Sequence, residues 1–407
     1  MSSGDTAWVL GATALVMLMT PALGFFYGGL VREKNVLATI MQSFFILCLI
    51  SVQWVLFGYS LAFGPDHGHL IGGLDWFGLN GVGLTPNKAY APTIPAQAFM
   101  AFQMMFAVIT PAIITGGFAE RKRFKAFVLF SLLWATFIYD PLAHWVWGVN
   151  GWIRNLGALD FAGGTVVHIS SGTAALVAAL MLGRRLTVGH QATEPHDATK
   201  TILGASLLWF GWFGFNAGSA LTAGGLATSA FVVTNTAAAM AGLTWLTVSW
   251  IHRGRPSVLG MAAGAVAGLV AITPASGFVD VSGSIIIGLG AGVFCYLAIQ
   301  LRPRLKIDDA LDVWAVHGIG GTWGAIATGL FATVAINTAG ANGLFFGNPQ
   351  QLVTQLIAVG ATWLYAAIAT AVIVKVIDVT VGMRVREHEE SLGLDASQHG
   401  EIAYQLD

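Results

Sequence analysis

Apolar positions along this chain gather into blocks of roughly 20 residues, divided by polar breaks rich in Gly, Pro, Asn and Asp. A helix of that length crosses a hydrocarbon core of about 30 Å. The blocks fall near 7–28, 40–63, 95–118, 126–144, 163–182, 201–219, 226–250, 258–275, 283–300, 313–334 and 351–376, and they predict eleven transmembrane helices. Two breaks are longer than the rest. Residues 64–95 contain PDHGH, NGVG and TPN, and residues 339–349 read AGANGLFFGNP, so both are expected to be irregular loops. Polar residues take over after Asp378, which sets off 379–407 as a tail from a transmembrane domain, 1–378. The opening residues, MSSGDTAWVL, lack the basic flank and cleavage site of a signal peptide, so the first block reads as a retained span.

Composition agrees with this pattern. Of 407 residues 56% are hydrophobic and 10% charged, with mean hydropathy +0.72. Soluble domains carry about 25% charged residues. The expected fold is therefore an all-α polytopic membrane protein in a lipid bilayer. A net charge of −1 gives no reason to expect nucleic acid as a partner. Cys48 and Cys295 both fall in apolar blocks, which argues against a disulfide framework. Charge placement adds the orientation. With the N-terminus outside, 17 of 19 Lys and Arg fall on the inner side, and Lys88 and Arg154 alone fall outside. Such asymmetry predicts an outer N-terminus and an inner C-terminus.

Candidate chemistry starts from histidine. Of ten histidines, His144, His168 and His317 lie in or at the edge of a span. A titratable group within hydrocarbon is costly and points to a functional site. His168 follows Asp160 in DFAGGTVVHISSG, and His317 follows Asp312 in DVWAVHGIGG. Each acid suits the positive end of a helix dipole. The two spans run in opposite directions with five spans between them, as an inverted repeat of spans 1–5 and 6–10 would place them. The halves would be about 1–190 and 198–335, with span 11 added at 351–376. Glycines on both spans permit close approach, so His168 and His317 are expected to share a hydrogen bond as a neutral pair. Two histidines without a third ligand make a poor metal site. His67 and His69 read as a solvated turn. No cofactor is expected. Phe106, Trp147, Phe215 and Ser219 offer aromatic faces and a hydroxyl among glycines, a lining suited to a small cation.

The runs GFFYGGLVREKN, DFAGGTVVHISSG, GWFGFNAGSA, VHGIGG and DVTVGMRVREHEESLGLDASQHGEIAY together resemble the ammonium transporter (Amt/Mep/Rhesus) family, on its Amt branch. The resemblance covers essentially the whole chain. It implies a homotrimer in the cell membrane, each subunit an eleven-helix bundle with its own pore. Carried over residue by residue, Phe106, Trp147 and Ser219 would recruit ammonium outside, and Phe106 and Phe215 would form a gate. His168 and His317 would be the twin pore histidines and the proton relay. Asp160 would order the loop behind the recruitment site and favour cation approach. The tail would dock on a neighbouring subunit, and a PII-type signal protein would bind the cytoplasmic face. Substrates would be ammonium or ammonia, with methylammonium as a further candidate.

Physical chemistry gives such a pore its logic. A bare charge at the bilayer centre costs at least ~2.5–3.5 kcal/mol, and shedding the proton removes most of that. Potassium resembles ammonium in size and charge but has no proton to shed. Other classes make different demands. An ammonium-sensing receptor needs an output partner, and nothing of domain size follows Asp378. An enzyme needs a nucleophile, metal cluster or cofactor motif, none of which the sequence offers. A general ion-coupled transporter would not discriminate ammonium from potassium.

Overall fold

The structure, a computed structural model, describes residues 1–186, 188 and 195–404. Helices occupy all eleven predicted blocks. They are α1 (Ser3–Leu30), α2 (Glu33–Phe63), α3 (Ala96–Phe118), α4 (124–147), α5 (Gly164–Leu182), α6 (Ala198–Gly218), α7 (Gly225–Arg253), α8 (Val258–Ile272), α9 (Val281–Leu301), α10 (314–331) and α11 (Pro349–Val381). Among the described residues, eight of these are long and apolar enough to cross a membrane: α1 to α5, α7, α9 and α11. The other three are shorter or less apolar. The 64–95 break holds a small hairpin, β1 (Asp66–His67) against β2 (Ile71–Gly72), within otherwise irregular chain.

Small residues let the helices approach. Along α6, a methyl added at Gly204 would stand 2.4 Å from the Phe26 nitrogen of α1, and one at Gly214 2.6 Å from Leu15 Cβ. With little hydrophobic drive between helices in lipid, such close backbone packing holds the bundle together. Large apolar side chains point outward, among them Phe44, Phe137, Ile251 and Leu364. That outer surface suits hydrocarbon rather than water.

Four of the eleven helices contain a π-helical turn: Trp54–Gly58 in α2, Ala135–Tyr139 in α4, Gly164–Ile169 in α5 and Trp314–Ile319 in α10. The last two carry His168 and His317. A π turn adds a residue to the helical turn and re-aims the side chains around it, which is why such turns concentrate at functional sites.

The basic end of the bundle is tied by buried ions. Arg185 bridges Glu120 at 2.8 Å and Asp308 at 2.7 Å, Arg32 reaches Glu120 at 2.9 Å, and the Arg121 guanidinium donates to the Asp308 carbonyl at 2.6 Å. Burial pushes both carboxyls up, but Arg185, with Arg32 at Glu120 and Arg121 at Asp308, outweighs it and holds both below the usual carboxylate range. The tail folds back onto this end of the same chain. Its helix α12 (Glu387–Leu392) presents Glu390, which accepts the Leu186 N–H at 2.7 Å and pairs with Arg384. Asp395 accepts the N–H groups of Leu37 and Ala38 at 3.0 and 2.8 Å, capping the α2 start.

Candidate functional site

The outer-site residues named from sequence come together at the end of the bundle opposite the basic network. Phe106 and Trp147 meet edge to face, ring centres 6.0 Å apart, and both line a cavity of about 490 Å³ with Asp160, Ser219 and Gln103. The Ser219 hydroxyl donates to the Phe215 carbonyl at 2.9 Å, which leaves its lone pairs for that cavity. Arg154, one of the two basic residues expected outside, lies on the same wall.

Asp160 does not present its carboxylate freely to this cavity. Its two oxygens accept the N–H groups of Gly163, Gly164 and Thr165, each at 2.7 Å, and the Thr165 hydroxyl. The carboxylate thus caps the start of α5, where the helix leaves unpaired donors. The turn it closes needs φ +111° at Gly163, a conformation that glycine adopts without strain. Trp147 is held in turn, its indole N–H donating to the Asp160 carbonyl at 2.9 Å. One acid therefore orders both the helix of His168 and the ring of Trp147.

Below this cavity the path narrows to two rings. Phe106 and Phe215 lie against each other with centres 4.2 Å apart and planes tilted by 33°, both about 1% exposed. Phe215 packs against His168 with ring centres 6.0 Å apart, and Trp212 stacks on the same imidazole at 5.5 Å. His168 Nδ1 and His317 Nδ1 then lie 3.2 Å apart, a hydrogen bond between residues 149 positions apart in sequence. Their helices touch at Gly172, where an added methyl would stand 2.2 Å from the Gly318 nitrogen. Both histidines line a second cavity of about 420 Å³, whose far wall carries Arg302 and Asp312. The phenylalanine pair stands between the two cavities.

Structure and sequence differ over the second acid. In the sequence pattern Asp312 is the counterpart, at the α10 start, of Asp160 at the α5 start. It instead pairs with Arg302 at 2.7 Å, and Asp309 accepts the Trp314 N–H at 2.6 Å. Asp309 stands eight residues before His317, as Asp160 stands eight before His168. In both turns the residue three after the acid is left-handed, Gly163 at φ +111° and Asp312 at φ +59°. The spacing of eight was a signal available in the sequence, but three neighbouring acids, Asp308, Asp309 and Asp312, obscured it. Trp212 and Thr273, which flank His168, carried no sequence signal.

The outer histidines serve the loops. His144 is buried, with Nδ1 3.0 Å from the Ala62 carbonyl and Nε2 2.9 Å from Asp66, and His69 Nδ1 lies 2.8 Å from the Asn150 carbonyl. Among the described residues no three His, Cys, Asp or Glu side chains are grouped to hold a metal ion. The two cysteines are apart and unpaired, Cys48 on the outer surface of the bundle and Cys295 buried.

Apolar helices with outward-facing aliphatic side chains and a narrow, almost uncharged centre define a polytopic helical membrane protein. A sequence profile described as Ammonium Transporter Family matches residues 7–404. The ammonium transporter of Bacillus subtilis is 55% identical over 406 residues, covering 100% of this chain and 99% of that one. Ammonium transporter Amt1 of Archaeoglobus fulgidus is 53% identical, covering 99% of this chain and 100% of that one. The crystal structure of Candida albicans Mep2 matches with TM-score 0.91 at 38% identity, over 99% of this chain and 90% of that one. A structure described as a sensor Amt protein matches with TM-score 0.89 at 30% identity, over 97% and 98%. The chain belongs to the ammonium transporter family. It is an integral membrane protein rather than an enzyme, and its family and apolar helices accord with the plasma membrane.

Proposed function

We propose that this chain recruits NH₄⁺ at Phe106, Trp147 and Ser219, strips one proton, and conducts NH₃ past the Phe106–Phe215 gate and the His168–His317 pair. The observation that carries this reading is the sequence of environments along one line. A cavity walled by aromatic faces and a hydroxyl leads to two closely packed rings, then to two imidazoles joined by one hydrogen bond. Aromatic faces attract a cation by about 0.5–2 kcal/mol. Two closed rings admit no hydration shell, so what passes them is most cheaply neutral. The imidazoles offer hydrogen bonds where apolar walls offer none. Asp160 acts as a positioning residue for Trp147 and α5. A separate path for the released proton, through Asp160 and the histidines, belongs to the same proposal.

The wider reading is eleven crossings with the N-terminus outside, arranged as two inverted halves of about 1–190 and 198–335, plus α11. Supporting it are the paired spacing of eight, the two π turns and the matching left-handed residues. Assembly as a homotrimer, a tail over 379–407 that couples subunits, and a PII-type partner at the basic end complete it. Methylammonium is the expected analogue substrate. A second reading, ammonium sensing through a cytoplasmic partner, draws support from the solved sensor Amt protein.

Replacing His168 and His317 together by Ala in reconstituted liposomes is the test. Ammonium-driven current on a solid-supported membrane is expected to vanish, while potassium-driven current stays absent in the parent protein. A double variant that keeps full ammonium current and still rejects potassium would sink the twin-histidine role.

A further inference from the structure

Thr273 stands beside the histidine pair with all of its hydrogen-bonding capacity directed. It begins the turn after α8, and its side chain is fully buried. Its hydroxyl proton goes to the Leu269 carbonyl, with oxygens 2.7 Å apart. The Trp212 indole nitrogen, which can only donate, reaches the same hydroxyl at 2.9 Å. A hydroxyl has one proton and two lone pairs, so what remains is a single lone pair. His168 Nε2 lies 3.4 Å from that oxygen.

From this count, and resting on the pore reading above, we infer that Thr273 is a positioning residue that sets the tautomers of the twin histidines. Facing a lone pair, His168 Nε2 carries the hydrogen. The neutral ring then has a bare Nδ1. His317 Nδ1, 3.2 Å away, supplies the hydrogen between the two rings. His317 Nε2 is left as a lone pair on a residue that lines the inner cavity.

The assignment gives the pair a direction. The acceptor it offers to a passing NH₃ belongs to His317, and His168 Nε2 is already filled. A proton moving from the outer side must enter at His168 Nε2. It displaces the Nδ1 hydrogen of His168 to His317 Nδ1, and His317 releases its own Nε2 hydrogen inward. That passage begins from the opposite tautomer and ends in the assigned one. Each proton passed therefore requires the pair to reset, and Thr273 opposes the reset while its own proton stays on Leu269. Ammonia, which needs no ring proton to move, is unaffected by that requirement.

Nitrogen-15 NMR of histidine-labelled protein in bilayers at neutral pH tests the assignment, with His168→Asn and His317→Asn variants identifying the two rings. The unsubstituted protein is expected to show His168 hydrogenated at Nε2 and His317 at Nδ1. Rings sharing one tautomer, or the reverse pair, would overturn the inference, and this measurement needs no change at Thr273. In Thr273→Val the two tautomer pairs are expected to mix, and in Thr273→Ser to stay as in the parent. An unaltered pattern in Thr273→Val would also overturn it. Ammonium-driven current should change roughly two- to ten-fold in Thr273→Val, the span of one neutral hydrogen bond, with Thr273→Ser near the parent. Altered tautomers with unaltered current would detach the tautomer from proton movement. A parent protein that passes no ammonium would defeat the transport reading while leaving the tautomer result standing.

Discussion

The centre of the bundle and its basic end handle polarity in opposite ways. At the centre, the polar groups are two imidazoles, an indole and a hydroxyl linked by hydrogen bonds: His168 to His317, and Trp212 to Thr273. At the basic end, full charges are packed with little exposure, and Arg185 holds Glu120 and Asp308 together at 7% exposure or less. A buried ion pair is tolerable only with its geometry complete, whereas a neutral hydrogen bond leaves little behind when the path must open. On the proposed reading, a conduit for a molecule that changes charge needs weak, exchangeable contacts. The end that anchors loops and tail needs strong, fixed ones.

The sharpest break in that contrast is Arg185→Met, which takes from two buried carboxylates the cation they share and leaves Glu120 only Arg32 and Asp308 only Arg121. It is expected to cost about 3–5 kcal/mol in unfolding measurements while leaving the KM for ammonium in surviving protein unchanged. The same network sets a response to acid. Both carboxyls titrate below their unfolded values, so their contribution is complete above about pH 5 and is lost as pH falls through the unfolded and then the folded values. Thermal melts of the solubilised protein should therefore be flat near neutrality and drop in strong acid, less steeply in Arg185→Met. A KM shift in Arg185→Met would join the two regions.

Gly172→Ala strikes the centre through packing. Its methyl meets the Gly318 backbone at 2.2 Å, so α5 and α10 must part. Overpacking of this kind costs about 1–3 kcal/mol. Ammonium current should fall at least as far as the loss of stability implies, because His317 moves with Gly318. Normal current in Gly172→Ala would show that the histidine spacing is not critical.

Trp147→Leu is the mildest. It removes one aromatic face from the outer cavity and is expected to raise the KM for ammonium by the equivalent of about 0.5–2 kcal/mol, with the melting temperature nearly unchanged. Equal loss of stability and affinity would mean that Trp147 chiefly holds Asp160 and its turn.

Much of this was legible in the chain. Asp160, His168 and His317 stood out because titratable residues are rare in apolar blocks, and Phe106, Trp147, Phe215 and Ser219 came with the resemblance that DFAGGTVVHISSG and GWFGFNAGSA carry. Helix ends were less legible. Backbone hydrogen bonds carry α11 on to Val381, past its apolar block, and α2 opens with a 3-10 turn, Glu33–Asn35, ahead of its α-helical start at Val36. Asp309 is not distinguishable from Asp308 and Asp312 by distance to the helix start, which cannot tell which of three acids turns inward.

By itself the sequence determined the place of the apolar helices and the presence of two histidines within apolar blocks. Each is a property of a residue's own transfer from water, summed over some 20 neighbours. Tertiary structure decided the rest: the packing of Phe106 against Phe215, the 3.2 Å contact of two rings 149 residues apart, the capping of α10 by Asp309 and the aim of the Thr273 hydroxyl. Those depend on how helices distant in sequence cross, and crossing is set by small-residue seams and π turns that no local pattern of polarity encodes.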